Sequence, residues 1–409
     1  MRKRMKELGF NNELVRKIRA SPKKKLARTI TINITLTIAL IVPMFLYTEV
    51  RMLDRQKDYP DKEPWLRFLS DPSNSVTISW ETSIGKNTTV QYDTNPFTLS
   101  NTISRTENVT MHHVNITGLN PNTQYYYRVG PQVDGEMSAL YHFWTAPADQ
   151  ATSFTWLCIS DTQESSEGQH HHPRVARALA KYNGEARFIG NGGDVANYGS
   201  SKRSWDYFFK CARPYAPYQP FAFALGNHDD SSSHTAPMYH QYFAFHENEP
   251  LYYSFNYSML HYVSIPVPRG KESELTTELM SWLESDLANS MDKLYRVVIF
   301  HCPILSSGFF GRNRILEEHL HPIFDQYNVS LVINGHSHHY ERSYMDGIYY
   351  VVAAGGGGHM DPCHNALPET QVLGSFPHYL KITCTTSSMT MEAISPEGSL
   401  FDQVEMEAP

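Results

Sequence analysis

Cysteine is scarce in this chain, with five in 409 residues (Cys158, Cys211, Cys302, Cys363, Cys384), widely scattered and without any CxxC or Cys/His zinc spacing. A disulfide framework is thereby excluded, and the odd count leaves at least one thiol unpaired in a monomer. Cys363 with Cys384 is the one pairing that the C-terminal run of turns and strands suggests; five buried thiols are the alternative. Internal repeats and low-complexity tracts are lacking, which removes the collagen, coiled-coil and disordered classes. No Ser-His-Asp, Cys-His or phosphate-loop signature stands out, so no side-chain nucleophile is announced. Long apolar runs are lacking as well, with one exception near the N-terminus.

What is present is a composition of 41% hydrophobic and 19% charged residues, which with a mean hydropathy of -0.43 describes a folded, largely soluble chain of two to three domains. The net charge of -7 hides an asymmetry. Residues 1–28 carry eleven Lys and Arg against Glu7 and Glu13, a charge of +9; the remaining 24 basic and 40 acidic side chains give -16. An acidic body argues against nucleic-acid binding and leaves room for bound cations. Behind the basic head, Ile30 to Tyr47 is 18 residues without a charge, long enough for a membrane-spanning helix. The positive-inside rule puts residues 1–28 in the cytoplasm, residues 29–48 in the membrane, a linker at 49–59 and the rest outside; if the segment is instead cleaved, the protein is secreted. Five sequons beyond the anchor (Asn87, Asn108, Asn115, Asn256, Asn328) are compatible with a glycoprotein on that side.

Beyond the anchor the pattern changes twice. Residues 60–147 read as short alternating strands (SVTISWET, TTVQYDT, MHHVNITG, QYYYRVG, ALYHFWTAP) separated by turns, as in a β-sandwich. Trp80 falls where a strand points inward, and the run from Leu119 to Tyr125 fits a tyrosine corner, features that resemble a fibronectin type III module serving as spacer or lid. Residues 150–409 alternate buried strands with helical segments before ending in strands, which predicts an α/β sandwich of two mixed sheets flanked by helices.

Five predicted strands of this second body end in a potential metal ligand: Asp161 after WLCIS, Asp194 after FIGNGG, Asn227 and His228 after FALG, His301 after VVIF, and His336 with His338 after LVING. Singly, each reads as a cap or a loop residue. Together, carboxylates, imidazoles and an amide at one sheet edge make the mixed N/O set that suits Fe, Zn or Mn, and a carboxylate such as Asp194 has two oxygens to share between two ions.

The order Asp161, Gly193-Asp194, Gly226-Asn227-His228-Asp229, His301, Gly335-His336-Ser337-His338 resembles the calcineurin-like metallophosphoesterase superfamily. With the fibronectin-like module in front and Tyr340-Glu341-Arg342 behind, it is most similar to the purple acid phosphatase branch. The resemblance implies that Asp161, Asp194 and His338 hold one metal, and that Asp194, Asn227, His301 and His336 hold the other. His228 is then the imidazole that contacts the phosphoryl group or protonates the leaving oxygen, and Arg342 a possible substrate contact. Two such ions supply a bridging hydroxide for in-line attack on a phosphomonoester of a small molecule or a protein. A phosphodiesterase acting on a nucleotide or phospholipid head-group diester would use the same clamp, and a non-catalytic adhesion or scaffold ectodomain is the reading from another class.

Two positions depart from the branch. Where the family carries its tyrosinate ligand this chain has Asn197, with Tyr198 one residue late, and the first motif reads Asp161-Thr162-Gln163 where Asp-x-His is common. Gln163 and Asn197 are therefore candidates for a metal contact or a supporting hydrogen bond, and no purple colour is expected. The runs His170-His171-His172 and Gly355 to Gly358, and the pair His112-His113, read as loop or structural residues.

Overall fold

Alternation of side chains builds the front of the chain. The computed structural model describes residues 61–409 except 133–134, 149–152, 165–170, 231–235, 244–249 and 364. Its first five strands are β1 (Asp61–Arg67), β2 (Val76–Asp93), β3 (Asn101–Ile116), β4 (Gln124–Gly130) and β5 (Tyr141–Trp144). In β4, Tyr125, Tyr127 and Val129 are buried while Gln124, Tyr126 and Arg128 are half-buried, the period of two that a strand imposes. Trp80 is buried and stacks on His112 at 4.5 Å between ring centroids. His112 in turn bridges Thr82 and Thr88, at 3.1 and 2.7 Å, so it is structural. The tyrosine corner forms, with the Asn120 amide donating to the Tyr125 hydroxyl at 2.9 Å.

The second body adds β6 (Ser153–Ile159), β7 (Ala186–Asn191), β8 (Phe221–Phe223), β9 (Tyr253–Tyr257), β10 (Leu260–Ser264), β11 (Tyr295–Ile299) and β12 (Leu331–Asn334). Six more strands follow: β13 (Tyr340–Met345), β14 (Ile348–Ala353), β15 (Thr370–Gly374), β16 (Tyr379–Thr385), β17 (Ser388–Ile394) and β18 (Leu400–Glu407). The helices are α1 (His172–Leu179), α2 (Lys202–Ala212), α3 (Pro237–Phe243), α4 (Thr277–Ala288) and α5 (Arg314–Gln326). One sheet runs β18-β17-β16-β6-β7-β8-β1-β2-β4-β5, with β3 on β2, and the other runs β15-β13-β14-β12-β11-β10-β9. Both are mixed, as the sequence predicts.

A single core that includes Trp156, Phe188, Phe255, Tyr262, Ile333 and Leu380 lies between the sheets. Outside it, α1 to α3 cover the first sheet through Leu179, Phe208 and Tyr242, and α4 and α5 cover the second through Leu283 and Leu320. Thr276 and Asn313 start α4 and α5 by accepting from the Leu279 and Leu316 amides, satisfying donors that a helix start leaves open.

The two bodies meet, and one expectation needs adjustment. The front module packs a core of its own around Trp80, Tyr125 and Tyr127, and its β1 also sits between β2 and β8, meeting the latter at the Arg67–Phe221 pair. The physical reason is hydrophobic: Trp65 of β1 is fully buried against Phe209, 4.4 Å away, in the core of the second body. Cys363 and Cys384 are not paired, since Cys384 is buried in the core between the sheets and Cys363 is half-buried beyond it. The basic tail, the anchor and the linker lie outside the described residues; among the described residues no helix is long and apolar enough to cross a membrane.

Candidate metal centre

Strand direction gathers the site. β6, β7 and β8 run parallel in one sheet and β10, β11, β12 and β14 in the other. The residues just past their C-terminal ends therefore converge, the place where α/β sheets generally present ligands. Asp161, Asp194 and His336 hold left-handed backbones there (φ 57°, 53° and 70°), uncommon for residues with a side chain and costing about a kilocalorie or more each. Two glycines permit the close approach. A Cβ on Gly226 would lie 2.0 Å from the Asp194 nitrogen, and one on Gly335 would lie 2.1 Å from the Ser160 hydroxyl and 2.5 Å from an Asp161 oxygen.

The two carboxylates are buried and face imidazoles. Asp194 Oδ2 lies 3.2 Å from His301 Nε2, and Asp161 Oδ1 lies 3.3 Å from His338 Nε2. Asp194 Oδ1 accepts from the His228 amide at 2.8 Å, and both Asp161 oxygens accept from the His336 amide, at 3.0 and 3.1 Å. Asn227 Oδ1 is 3.1 Å from His301 Nε2. The His301 and His338 Nδ1 atoms each face a backbone carbonyl, Gly192 and His359, at 2.8 Å, which aims both Nε2 atoms at the carboxylates.

Electrostatics follow from this crowding. Burial works to lower His301, but the Asp194 charge and hydrogen bond outweigh it and push the imidazole up to about 9. Burial is likewise overcome at His338 by Asp161, to about 9, whereas burial and the neighbouring His301 bring His336 down to about 4. Burial works against ionisation of Asp194, yet His301 and His228 hold it well below the usual carboxylate range.

Donor atoms of Asp194, His301 and His336 lie within 4.8 Å of one another, as do those of Asp161, Asp194 and His338. Asp194 belongs to both groups. Gln163, 3% exposed, has its Nε2 3.3 Å from Asp194 Oδ2 and 3.2 Å from His338 Nε2, while its buried Oε1 has no partner. Buried carboxylates, imidazoles and amides around a shared Asp194, with one polar atom left over, fit a pair of transition-metal ions.

His228 stands beside this cluster. Its Nδ1 is 2.8 Å from the Asn197 carbonyl, its Nε2 is 3.9 Å from Asp194 Oδ2, and its side chain is 40% exposed, so it is reachable from solvent. Asn197 takes part through its backbone, and Tyr198 points outward, 62% exposed. Arg342 is committed elsewhere, to Asp402 at 2.6 Å and to Gln371. Glu341 is buried and accepts from Ser307 and Thr370. His172 is also structural, buried against Phe208 and 3.2 Å from the Tyr215 hydroxyl.

Sequence reasoning missed several neighbours. Asp229, inside the GNHD run, accepts from the Ala196 and Gly226 amides and so ties the β7 and β8 loops together; burial and Asp194 raise it to about 7. His359 and Asp361 form a third group with His338, and the Gly356 and Gly358 amides donate to the Ser160 and Asp161 carbonyls. Half-exposed Phe310 covers His336 with 3.9 Å between ring centroids. Only contacts across distant loops define these roles, although the Gly355 to Gly358 run hinted at close packing.

Both parts of the chain are similar to known proteins. Residues 64–145 match the purple acid phosphatase N-terminal domain, and residues 154–340 match the calcineurin-like phosphoesterase domain. The chain is 26% identical over 376 residues to purple acid phosphatase 15 of Arabidopsis thaliana, covering 74% of this chain and 70% of that one. It is 25% identical over 315 residues to the phosphoenolpyruvate phosphatase of Allium cepa, covering 69% and 63% respectively, so it spans about two thirds of these relatives' length. A purple acid phosphatase from yellow lupin (Lupinus luteus) seeds shares the fold, with a TM-score of 0.69 and 18% identity over 84% of this chain and 74% of that one.

Proposed function

Because the chain belongs to the calcineurin-like phosphoesterase family and carries a purple acid phosphatase N-terminal domain in front, we propose that it is a metal-dependent phosphomonoesterase. The observation that carries this reading is the sharing of Asp194 between two ligand groups, which is what a two-metal phosphoester clamp requires. Asp161, Asp194 and His338 would hold one ion; Asp194, Asn227, His301 and His336 would hold the other, with Fe, Zn or Mn suited to the set. When bound, the ions supply Lewis acidity to the phosphoryl oxygens and a water acidic enough to attack near neutral pH.

The chain's own residues supply position and a proton. His301 and His338 are oriented by the Gly192 and His359 carbonyls, so their Nε2 lone pairs face the centre. With Nδ1–H donated to the Asn197 carbonyl, His228 presents Nε2 toward the open side, where as imidazolium it protonates the leaving oxygen. The hydroxyls flanking Asp161 are not offered as nucleophiles: Ser160 donates to the Gly193 carbonyl at 3.3 Å and Thr162 to that of Val195 at 3.2 Å. A monoester substrate is supported by the Allium cepa relative, whose name specifies a phosphoenolpyruvate phosphatase.

For location the reading is a single-pass membrane protein with the basic tail cytoplasmic and the catalytic body outside. It rests on the apolar segment Ile30 to Tyr47 behind a basic head, and on all five sequon asparagines being exposed in the folded body, where an oligosaccharyl chain has room.

The test is hydrolysis of a chromogenic phosphomonoester and its matching diester by residues 55–409 loaded with Mn, Zn or Fe, against a chelated blank. Metal-dependent preference for the monoester is expected. Preference for the diester would replace the proposal with a phosphodiesterase, and failure to take up any metal would favour the scaffold reading.

A further inference from the structure

We propose that Gln163 is a metal ligand, binding the ion of the Asp161, Asp194 and His338 group through its amide oxygen. The inference rests on the two-metal reading above and adds a residue of this chain to it. Gln163 is 3% exposed, and its amide nitrogen is wedged 3.2 Å from His338 Nε2 and 3.3 Å from Asp194 Oδ2. Those two atoms are the ones that would point at the ion, because His338 Nδ1 and Asp194 Oδ1 are occupied by the His359 carbonyl and the His228 amide. Once the single lone pair of His338 Nε2 is committed to a cation it cannot also accept from an N–H, and a donor pointing into that space meets positive charge.

The amide has a second face to offer. A half-turn of the amide about its last bond exchanges its two terminal atoms and brings Oε1 to the place that Nε2 now fills. That oxygen is the buried polar atom without a partner, so the metal-free arrangement wastes the acceptor that the loaded one would use. Of the two residues at the tyrosinate position, Tyr198 is 62% exposed and Asn197 meets His228 through its backbone carbonyl. A neutral amide oxygen leaves the site one negative charge poorer than a phenolate, which shifts its preference from a trivalent to a divalent ion.

The experiment is metal titration of the full chain and of Gln163→Ala, Gln163→Asn and Gln163→Glu with Mn or Zn, following stoichiometry and affinity, with circular dichroism of each metal-free variant as a fold control. Wild type should take up two ions. Q163A should weaken one of them by roughly tenfold to a hundredfold and leave the other unchanged, and Q163N, one methylene too short, should behave like it. Q163E keeps an oxygen ligand and should retain both ions, with a gain in affinity for a trivalent ion. If Gln163 acts only as a hydrogen-bond donor to Asp194 and His338, Q163E sets a third carboxylate against them and weakens binding as much as Q163A does; that result overturns the proposal. So does an unchanged affinity in Q163A or, should that variant not fold, in Q163N. Wild-type protein that binds no metal would instead refute the two-metal reading itself.

Discussion

Metal loading should expel protons, in a number that the site geometry sets. In the metal-free fold His301 and His338 are pushed up to about 9 by Asp194 and Asp161 against the cost of burial, while His336 is held down to about 4. At pH 7 two of the three imidazoles therefore carry a proton that ligation must displace, and the third does not. His338 belongs to one ligand group and His301 to the other, so each ion displaces about one proton. Affinity at each site should rise about tenfold per pH unit up to about pH 9 and then level off. The sign for stability runs opposite in the metal-free protein. A folded value of about 9 against an ordinary 6.5 stabilises the fold fully below pH 6.5, and this contribution is lost as pH rises through 9. Titration calorimetry at pH 7 in two buffers of different ionisation enthalpy reads the proton count directly. Heats that do not depend on the buffer would mean no proton is released, and would refute the assignment of these two imidazoles.

Other perturbations separate the roles of neighbouring residues. His228→Ala should keep both metals while turnover falls by roughly 10² to 10⁴, the usual worth of a positioned acid; loss of metal alongside turnover would refute its place outside the ligand set. Asp194→Ala should abolish binding of both ions and His336→Ala mainly one, since Asp194 alone is common to the two groups; equal stoichiometry in the two variants by elemental analysis would contradict that sharing. Gly226→Ala places a Cβ 2.0 Å from the Asp194 nitrogen and 2.2 Å from its Oδ1, so it should lower both thermal stability and metal uptake; wild-type values for both would show the loop to be more yielding than its contacts suggest. Iron-loaded protein should lack a strong purple band, and a visible charge-transfer band would mean that Tyr198 turns inward to the metal.

The ligands were legible because each sits just past a buried strand, and burial runs such as WLCIS and LVING mark strands without any knowledge of their partners. Parallel pairing then does the rest by placing all the strand ends at one edge. What sequence could not reveal depends on which loops touch. Asp229 is adjacent to His228 in the chain, yet its work is to accept from Ala196, on a loop more than 30 residues earlier. Arg342 follows the metal-binding run closely, but the alternation of β13 and the arrival of Asp402 from β18 draw its guanidinium away from the ligands. The left-handed backbones of Asp161, Asp194 and His336 were equally unreadable, because residues with side chains adopt them only where surrounding contacts compel it.

The join between the front module and the catalytic body was equally unreadable, and it makes the module's removal a decisive test. Strand β1 joins β8 on one side and β2 on the other; Leu66 packs in the front module's core while Trp65 packs in that of the catalytic body. Trp65 donates from Nε1 to the Tyr242 carbonyl at 2.8 Å, Arg67 donates to that of Phe243 at 3.1 Å, and Phe68 lies in the core between the sheets. Cutting the chain at residue 148 deletes two buried aromatics from the second body, at about 3 to 5 kcal/mol each if they behave like truncations to alanine. It also strips the partner from β8 and exposes an edge. A loss of roughly 6 to 10 kcal/mol rivals the whole stability of an ordinary domain. Residues 148–409 should therefore fail to unfold cooperatively in circular dichroism or to bind metal, while Trp65→Ala in the intact chain should fold with a lowered melting temperature. A soluble 148–409 fragment that melts cooperatively and takes up two ions would show that β1 is an ornament on a sheet able to end at β8.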